Sequence, residues 1–285
     1  MAEDLGRIAQ SAGLHLLGQR PPLRAYLVET FRRVPFAWTL AVYRLQAELQ
    51  VHKLGVLWLV LRPVLTAAVY GSIFYFLLNS AARPQPFIPY LLAGVFIFQF
   101  FSNSLSSGAR AITGSAKLVQ SIGFPRILIP VSVIIEEAVK MGPISLVLAI
   151  LLAAFGIPIS WTWLLLIPVL LIMALFNFGV ACIVARLSVH VRDVQQVLPL
   201  VSRILFYTSG VFFNIDGLLA DMPTLHAIVR WLPTYDFVAL ARGVMMQQYA
   251  AVPIVWVSAV VWSVVLLVFG VIFFWRAEVR YGIER

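Results

Sequence analysis

The chain has 285 residues, 61% of them hydrophobic and only 12% charged, about half the charged share of a soluble domain. So little polar surface cannot cover a water-soluble body of this size, whereas lipid removes the requirement, and an integral membrane protein is expected. The net charge of +9 does not point to nucleic acid. The basic residues gather in the N-terminal arm, two connecting loops and the tail, as on cytoplasmic flanks that meet anionic headgroups.

No long apolar stretch precedes residue 57, so no cleaved signal peptide is expected. Residues 1–23 read as a cytoplasmic arm. Residues 24–56 carry Arg24, Arg32, Arg33, Arg44 and Lys53 among apolar positions, and Val42, Leu45 and Leu49 recur at helical spacing. That pattern predicts an amphipathic helix in the inner interface, basic side toward phosphate. An ordinary juxtamembrane helix with no partner fits it too.

Residues 57–275 read as six transmembrane helices in an all-α, polytopic chain. The first span is 57–78, with Arg62-Pro63 near its start. The second, 88–107, is aromatic through Tyr90, Phe96, Phe98, Phe100 and Phe101, and ends in small polar residues. Those suit close helix packing and a wet lumen equally. The segment 110–126 follows, with about two helical turns over 113–122 and a break at Phe124-Pro125. The third span, 127–155, carries Glu136, Glu137 and Lys140; Glu136 and Lys140 stand four apart on one face. Pro143 predicts a kink or a break.

The fourth span is 162–185, with Trp161 and Trp163 at its interfacial end. It holds Cys182, the single cysteine, which reads as a small buried hydrophobe and excludes an intrachain disulfide. Charges are costly in hydrocarbon, so Arg186, His190, Arg192 and Asp193 predict a turn in water over 186–193. The fifth span is 194–213, with Arg203 snorkelling to the headgroups.

The connection 214–249 is too polar to cross and too apolar for a wet loop. It predicts a pair of short outer re-entrant helices: one from Thr224 to a stop at Pro233, and one over 237–248 capped by Asp236. Backbone at that depth must be covered by protein or line a cavity. The sixth span is 253–275 and the tail is 276–285. Of 21 Lys and Arg, only Arg83, Arg230 and Arg242 fall on the other side, so both termini are expected in the cytoplasm.

Catalytic signatures are missing from the sequence. There is no Gly-rich phosphate loop followed by Lys and Ser or Thr, no His-Glu-x-x-His and no cysteine cluster. His15, His52, His190 and His226 are scattered. An ion-driven transporter would want mid-membrane carboxylates without basic neighbours. A polyprenyl-sugar transferase would want several outer ones, where only Asp216, Asp221 and Asp236 stand. No catalytic residue, metal site or resident cofactor is expected.

Several stretches in this order carry a resemblance: Leu54-Gly-Val-Leu-Trp58, Arg62-Pro63, Ala116-Lys-Leu-Val119, Gly123-Phe-Pro-Arg126, Arg192-Asp193-Val-Gln-Gln and Leu232-Pro-Thr-Tyr235. Over essentially its whole length the chain resembles the permease subunit of two-component ABC exporters of lipid-linked polysaccharide, of the O-antigen, teichoic acid and galactan type. The resemblance implies a homodimer enclosing a conduit in the bacterial inner membrane. Each half would sit on a separate ATPase subunit, which holds ATP and Mg.

By that pattern Thr113, Lys117, Leu118 and Ile122 form the helix that couples to the ATPase, with Arg192 and Asp193 nearby. Leu225, Val229, Trp231, Pro233 and Leu240 would belong to the outer gate. Some of Tyr70, Phe74, Phe96, Phe100, Phe101 and Phe206 would line the conduit, although periodicity does not tell lumen from lipid. Arg32, Arg33, Arg44 and Lys53 would attract the lipid pyrophosphate. The same architecture would serve a permease for a drug or a small lipid. A different class, an ATP-independent membrane enzyme acting on lipid-linked sugars, would want clustered acidic residues.

Overall fold

A computed structural model describes residues 21–51, 55, 57–77, 83–121, 123–215 and 222–278. All regular structure among them is helical. Two helices, α1 (Leu23–Arg32) and α2 (Val34–Val51), precede α3 (Leu57–Leu77) and α4 (Phe87–Arg110). A 3₁₀ turn, Thr113–Ser115, leads into the short α5 (Ala116–Ser121), and α6 (Leu128–Ala154) follows. Another 3₁₀ turn, Trp161–Leu165, opens α7 (Leu166–His190), and α8 (Val194–Thr208) comes next. The short pair α9 (Pro223–Arg230) and α10 (Pro233–Met245) then leads to α11 (Pro253–Trp275).

Among the described residues, five helical segments are long and apolar enough to cross a membrane: α3, α4, α6, α7 with its 3₁₀ turn, and α11. The helix α4 is the central post, with 78% of its apolar window buried against α3, α6, α7, α8 and α10. The helix α3 lies at the periphery, with 11% buried. Its apolar side chains, such as Leu65, Val69, Ile73 and Phe76, face outward.

The expected fifth span is a shorter object. The helix α8 has 15 residues, roughly 22 Å at 1.5 Å per residue, less than the ~20 residues a bilayer asks of a straight helix. Gln195 at its start bonds Thr113. Past its end, the carbonyls of Gly210 and Phe213 lie 3.2 and 3.1 Å from the hydroxyl of Tyr90, near the start of α4. The segment 194–213 therefore runs the length of the post, partly as helix and partly as the turn at 209–213.

Two local expectations are corrected, at 186–193 and at 233–236, and a third, at Pro143, is narrowed to a kink. The charged stretch 186–193 is not a turn throughout: α7 continues through Arg186 to His190, and the chain turns only at 191–193. Arg186 is accommodated because its guanidinium lies 3.9 Å above the Phe273 ring and donates to the Phe273 carbonyl. Pro143 does not break α6, which is helical on both sides of it. Pro233 does not merely stop the first outer helix. It opens the second, where a missing amide costs nothing. Asp236 thus falls inside α10, buried, accepting a 2.6 Å bond from the Ser258 hydroxyl.

Close backbone contact fixes α7 against α11. A Cβ on Gly179 would run into the backbone of Leu266, and one on Gly270 into the carbonyl of Gly179. Small residues that let two backbones touch are a common basis of helix pairing in lipid.

At one end of the post, Arg242 of α10 is buried without a carboxylate partner among the described residues. Its Nε donates to Tyr90 O at 3.1 Å, Nη1 to Gly210 O at 2.8 Å and Nη2 to Val211 O at 2.9 Å, and the cation sits 3.5 Å from the Tyr90 ring centroid. Lysine keeps the charge but not the planar fork. Arg242→Lys is expected to lower stability by about 2 kcal/mol, read as a lower thermal midpoint in nanodiscs. An unchanged midpoint would refute the clamp.

Candidate functional site

The proximal end of the bundle, where residues 26, 127 and 278 meet, is held by side chains distant in sequence. The Tyr26 hydroxyl donates to Glu278 Oε2 at 2.7 Å and accepts from the Ile127 amide at 3.2 Å. The Arg126 amide donates to Glu278 Oε1 at 2.9 Å, and its guanidinium donates to the Glu278 carbonyl. Trp275 Nε1 donates to Pro21 O at 3.0 Å. The beginning of α1, the end of α11 and the entry to α6 thus form one knot.

Burial raises the Glu278 pKa from its ordinary 4.5, while bonds from Arg126 and Tyr26 oppose it. The folded carboxyl therefore holds its proton to higher pH than the unfolded one. Stability is expected to fall as pH rises from about 4.5 through the folded pKa, then to level off. Glu278→Gln should flatten this slope in thermal midpoints measured across that range, and an identical slope would exclude Glu278 as its source.

The knot lies beside the expected coupling segment, which is tethered at several points. Arg44 of α2 donates to Ser115 Oγ at 2.6 Å. Gln195 donates to Thr113 Oγ1 at 3.2 Å and to Ala109 O at 3.4 Å. Arg33 donates to Gly123 O at 3.2 Å. Three separate parts of the chain hold residues 109–126, while Thr113 and Lys117 stay exposed. Arg192 and Asp193 are exposed on the adjoining turn, and Leu118 is half-buried. Ile122 lies outside the described residues.

Next to this segment is a cavity of about 750 Å³. One face of α4 supplies Gln99, Asn103, Ser106, Ser107 and Arg110 to it, at spacings that repeat every helical turn. The helix α3 supplies Trp58 and Arg62, and α2 supplies Glu48. From α6 come Glu136, Glu137 and Lys140. The Lys140 ammonium lies 2.5 Å from Glu48, 2.8 Å from Glu136 and 3.2 Å from Glu137. The expected pair on α6 is thus present, within a four-membered cluster that also ties α2 to α6. Glu48 gave no sign of this in the sequence. Of the α4 stripe, the sequence showed only that this helix ends in small polar residues.

Other expected residues are dispersed. Arg32 is exposed, Arg33 pairs with Glu29 at 2.8 Å, Arg44 is engaged with Ser115, and Lys53 lies outside the described residues. Phe96, Phe100 and Phe101 are packed inside the chain, at 0%, 2% and 4% exposure. Tyr70, Phe74 and Phe206 do come together around Phe212: Phe74 stacks on it at 4.3 Å, with Phe206 at 5.0 Å and Tyr70 at 5.2 Å. Of the expected gate residues, Leu225 and Trp231 are exposed, Pro233 is half-buried, and Val229 and Leu240 are buried. The distal end is closed by bonds from Thr162 to Val244 O, Trp163 to Met245 O and Tyr249 to Gln85 O.

The description of the ABC-2 type transporter family matches residues 37–246. That interval runs from α2 to the end of α10 and takes in the cavity, the tethered segment and the aromatic cluster. The chain belongs to the ABC-2 transporter family. Among similar proteins is an O-antigen export system permease protein RfbA of Klebsiella pneumoniae, 26% identical over 195 residues, covering 67% of this chain and 71% of that one. A second from the same organism is 25% identical over 210 residues, 70% and 77% of the two chains. One from Myxococcus xanthus is 26% identical over 200 residues, 67% and 75%. This ABC-2 chain is thus a multi-pass membrane permease related to O-antigen export permeases. No group of His, Cys, Asp and Glu suited to a metal occurs among its described residues.

Proposed function

We propose that this permease exports a polysaccharide linked to undecaprenyl or decaprenyl pyrophosphate across the bacterial inner membrane, as a homodimer powered by a separate nucleotide-binding subunit. The observation that carries the reading is the short helix α5. It is tied to α2 and α8 through its flanks, yet it presents Lys117 to solvent. A rigidly held, outward-facing helix at the bundle end suits the transfer of motion from a docked subunit. The names of the similar permeases support the cargo.

In this reading the segment 194–213 is the sixth crossing, its length made up by the turn after α8. Both termini are cytoplasmic by the distribution of basic residues. The helix α2 lies in the inner interface, and α9 and α10 dip into the outer leaflet as the gate. Tyr70, Phe74 and Phe206 offer flat apolar faces to sliding sugar, which stack without deep polar wells. Arg32, Arg33, Arg44 and Lys53 add a basic fringe that attracts the pyrophosphate.

Lys117→Glu is expected to reduce cargo-stimulated ATP turnover and export several-fold while leaving the permease folded, because it reverses charge on the docking face. Unchanged turnover and export would exclude this face as the contact. Depletion of the chain tests the cargo: a lipid-linked glycan should accumulate on the cytoplasmic leaflet, and no accumulation would reject the reading.

A further inference from the structure

A second cavity, of about 610 Å³, lies between α11 and the short pair α9 and α10. Its volume falls within the roughly 300–1,000 Å³ of small-ligand sites. The helix α11 contributes Ile254, Val257, Ser258, Val261 and Val265, spacings that repeat on one helical face. The four aliphatic members are each more than half exposed. From Ile254 to Val265 this face runs roughly 16 Å at 1.5 Å per residue, about half of the ~30 Å hydrocarbon core. It is an apolar trough of one leaflet's depth, set along a helix long enough to span the bilayer.

The facing wall is polar. Arg230, the last residue of α9, and Trp231 after it border the cavity together with Asp236 of α10. Asp236 is 2% exposed, and its carboxylate accepts a 2.6 Å bond from the Ser258 hydroxyl on α11. No cation among the described residues pairs with it. A carboxyl buried this deeply either keeps its proton or meets a cation, and the cavity it lines can admit one. Arg230 supplies the opposite charge in the same wall. The five N–H donors of a guanidinium can serve an internal partner and a phosphate together. Trp231 is exposed, a ring of the type that settles at headgroup level.

These charges select among amphiphiles. A carboxylate alone would suit a cationic amphiphile, and an arginine alone an anionic lipid. One of each beside an apolar trough matches a headgroup that carries both an amine and a phosphate. A primary ammonium donates hydrogen bonds to a buried carboxylate, whereas a quaternary one has no N–H to give. We infer that this cavity is a binding site for a phospholipid with a primary-amine headgroup. Its ammonium sits at Asp236, its phosphate at Arg230 and one acyl chain along Ile254 to Val265. Such a lipid touches α9, α10 and α11 at once, so it steadies the short pair against the last spanning helix. The site stands whatever cargo the permease carries.

The test is native mass spectrometry of the full chain in mild detergent, titrated separately with phosphatidylethanolamine, phosphatidylcholine and phosphatidylglycerol. Phosphatidylethanolamine should saturate at one lipid per chain and bind about tenfold more tightly than the other two, the equivalent of one charge-assisted contact. Asp236→Asn, which keeps an acceptor for Ser258, should abolish that preference. Val261→Trp, which fills the trough, should block binding, whereas Val264→Trp, on α11 but outside the cavity lining, should not.

Equal binding of the three lipids would mark a non-selective lipid shell and overturn the inference, as would tighter binding of phosphatidylglycerol. A preference for phosphatidylethanolamine that survives in Asp236→Asn would overturn it too. Should Asp236→Asn lower the thermal midpoint, the tryptophan pair decides. Equal phosphatidylethanolamine binding by Val261→Trp and Val264→Trp would then reject the site.

Discussion

Lys140→Met is expected to destabilise the permease by about 3–5 kcal/mol, the usual cost of removing one partner from a buried ionic group. Lys140 is 6% exposed and Glu137 4% exposed, so water reaches this inner pair far less than it reaches Glu48. Three carboxylates within 3.2 Å of it would be left facing one another. Because Glu48 belongs to α2 and the other two to α6, the loss should also loosen the first helices from the bundle. Amide exchange should rise over α2, alongside a fall in the thermal midpoint. The double variant Lys140→Met/Glu137→Gln should recover part of the loss by removing one orphaned charge. A single variant as stable as the parent would show that the cluster contributes little.

Gly179→Val is expected to lower stability by about 3 kcal/mol, at the upper end of the range for overpacking a filled interior. The new Cβ would meet the Leu266 carbonyl and the adjoining amide of Leu267, and backbone cannot rotate aside as a side chain can. Either α7 and α11 separate along their length or one of them bends. Gly270→Val acts on the same crossing from the other side, so the double variant should cost less than the sum of the two singles. By contrast, Gly114→Ala, where a Cβ meets nothing within 4 Å, should leave the midpoint nearly unchanged. Comparable loss from Gly114→Ala and Gly179→Val would show that the close crossing is not the cause.

The long helices were legible because a bilayer turns thickness into a count of apolar residues. The expected span 253–275 coincides with α11, and the other long spans differ from their helices mainly at the ends. Segment 194–213 is a shorter helix followed by a turn, because apolar content says nothing about where a helix stops short. The stretch 186–193 was misjudged because charge alone predicts water, whereas Arg186 finds a ring and a carbonyl on α11, 87 residues away. Asp236 was expected as a cap because the sequence does not show that the helix opens at Pro233 or that Ser258 packs beside it.

The site was legible in part. Glu136 and Lys140 announced themselves by spacing, but Glu48 joins them only through the packing of α2 on α6. Tyr26, Arg126 and Glu278 are joined across as many as 252 positions, beyond the reach of any local pattern. The aromatic run on α4 shows the opposite limit. Phe96, Phe100 and Phe101 are aromatics on a spanning helix, and periodicity gave no sign that all three pack into the core of the chain.

The central claim is that this chain provides a path and a docking helix while another subunit supplies the energy. It is tested most directly by affinity purification of the tagged chain from its own membranes in mild detergent, followed by an ATPase assay and quantitative mass spectrometry. The account predicts a nucleotide-binding subunit in equal molar amount, lost together with the ATP turnover when residues 116–121 are replaced by a Gly/Ser linker. A chain that purifies without such a subunit and still carries lipid-linked glycan across vesicles would contradict it.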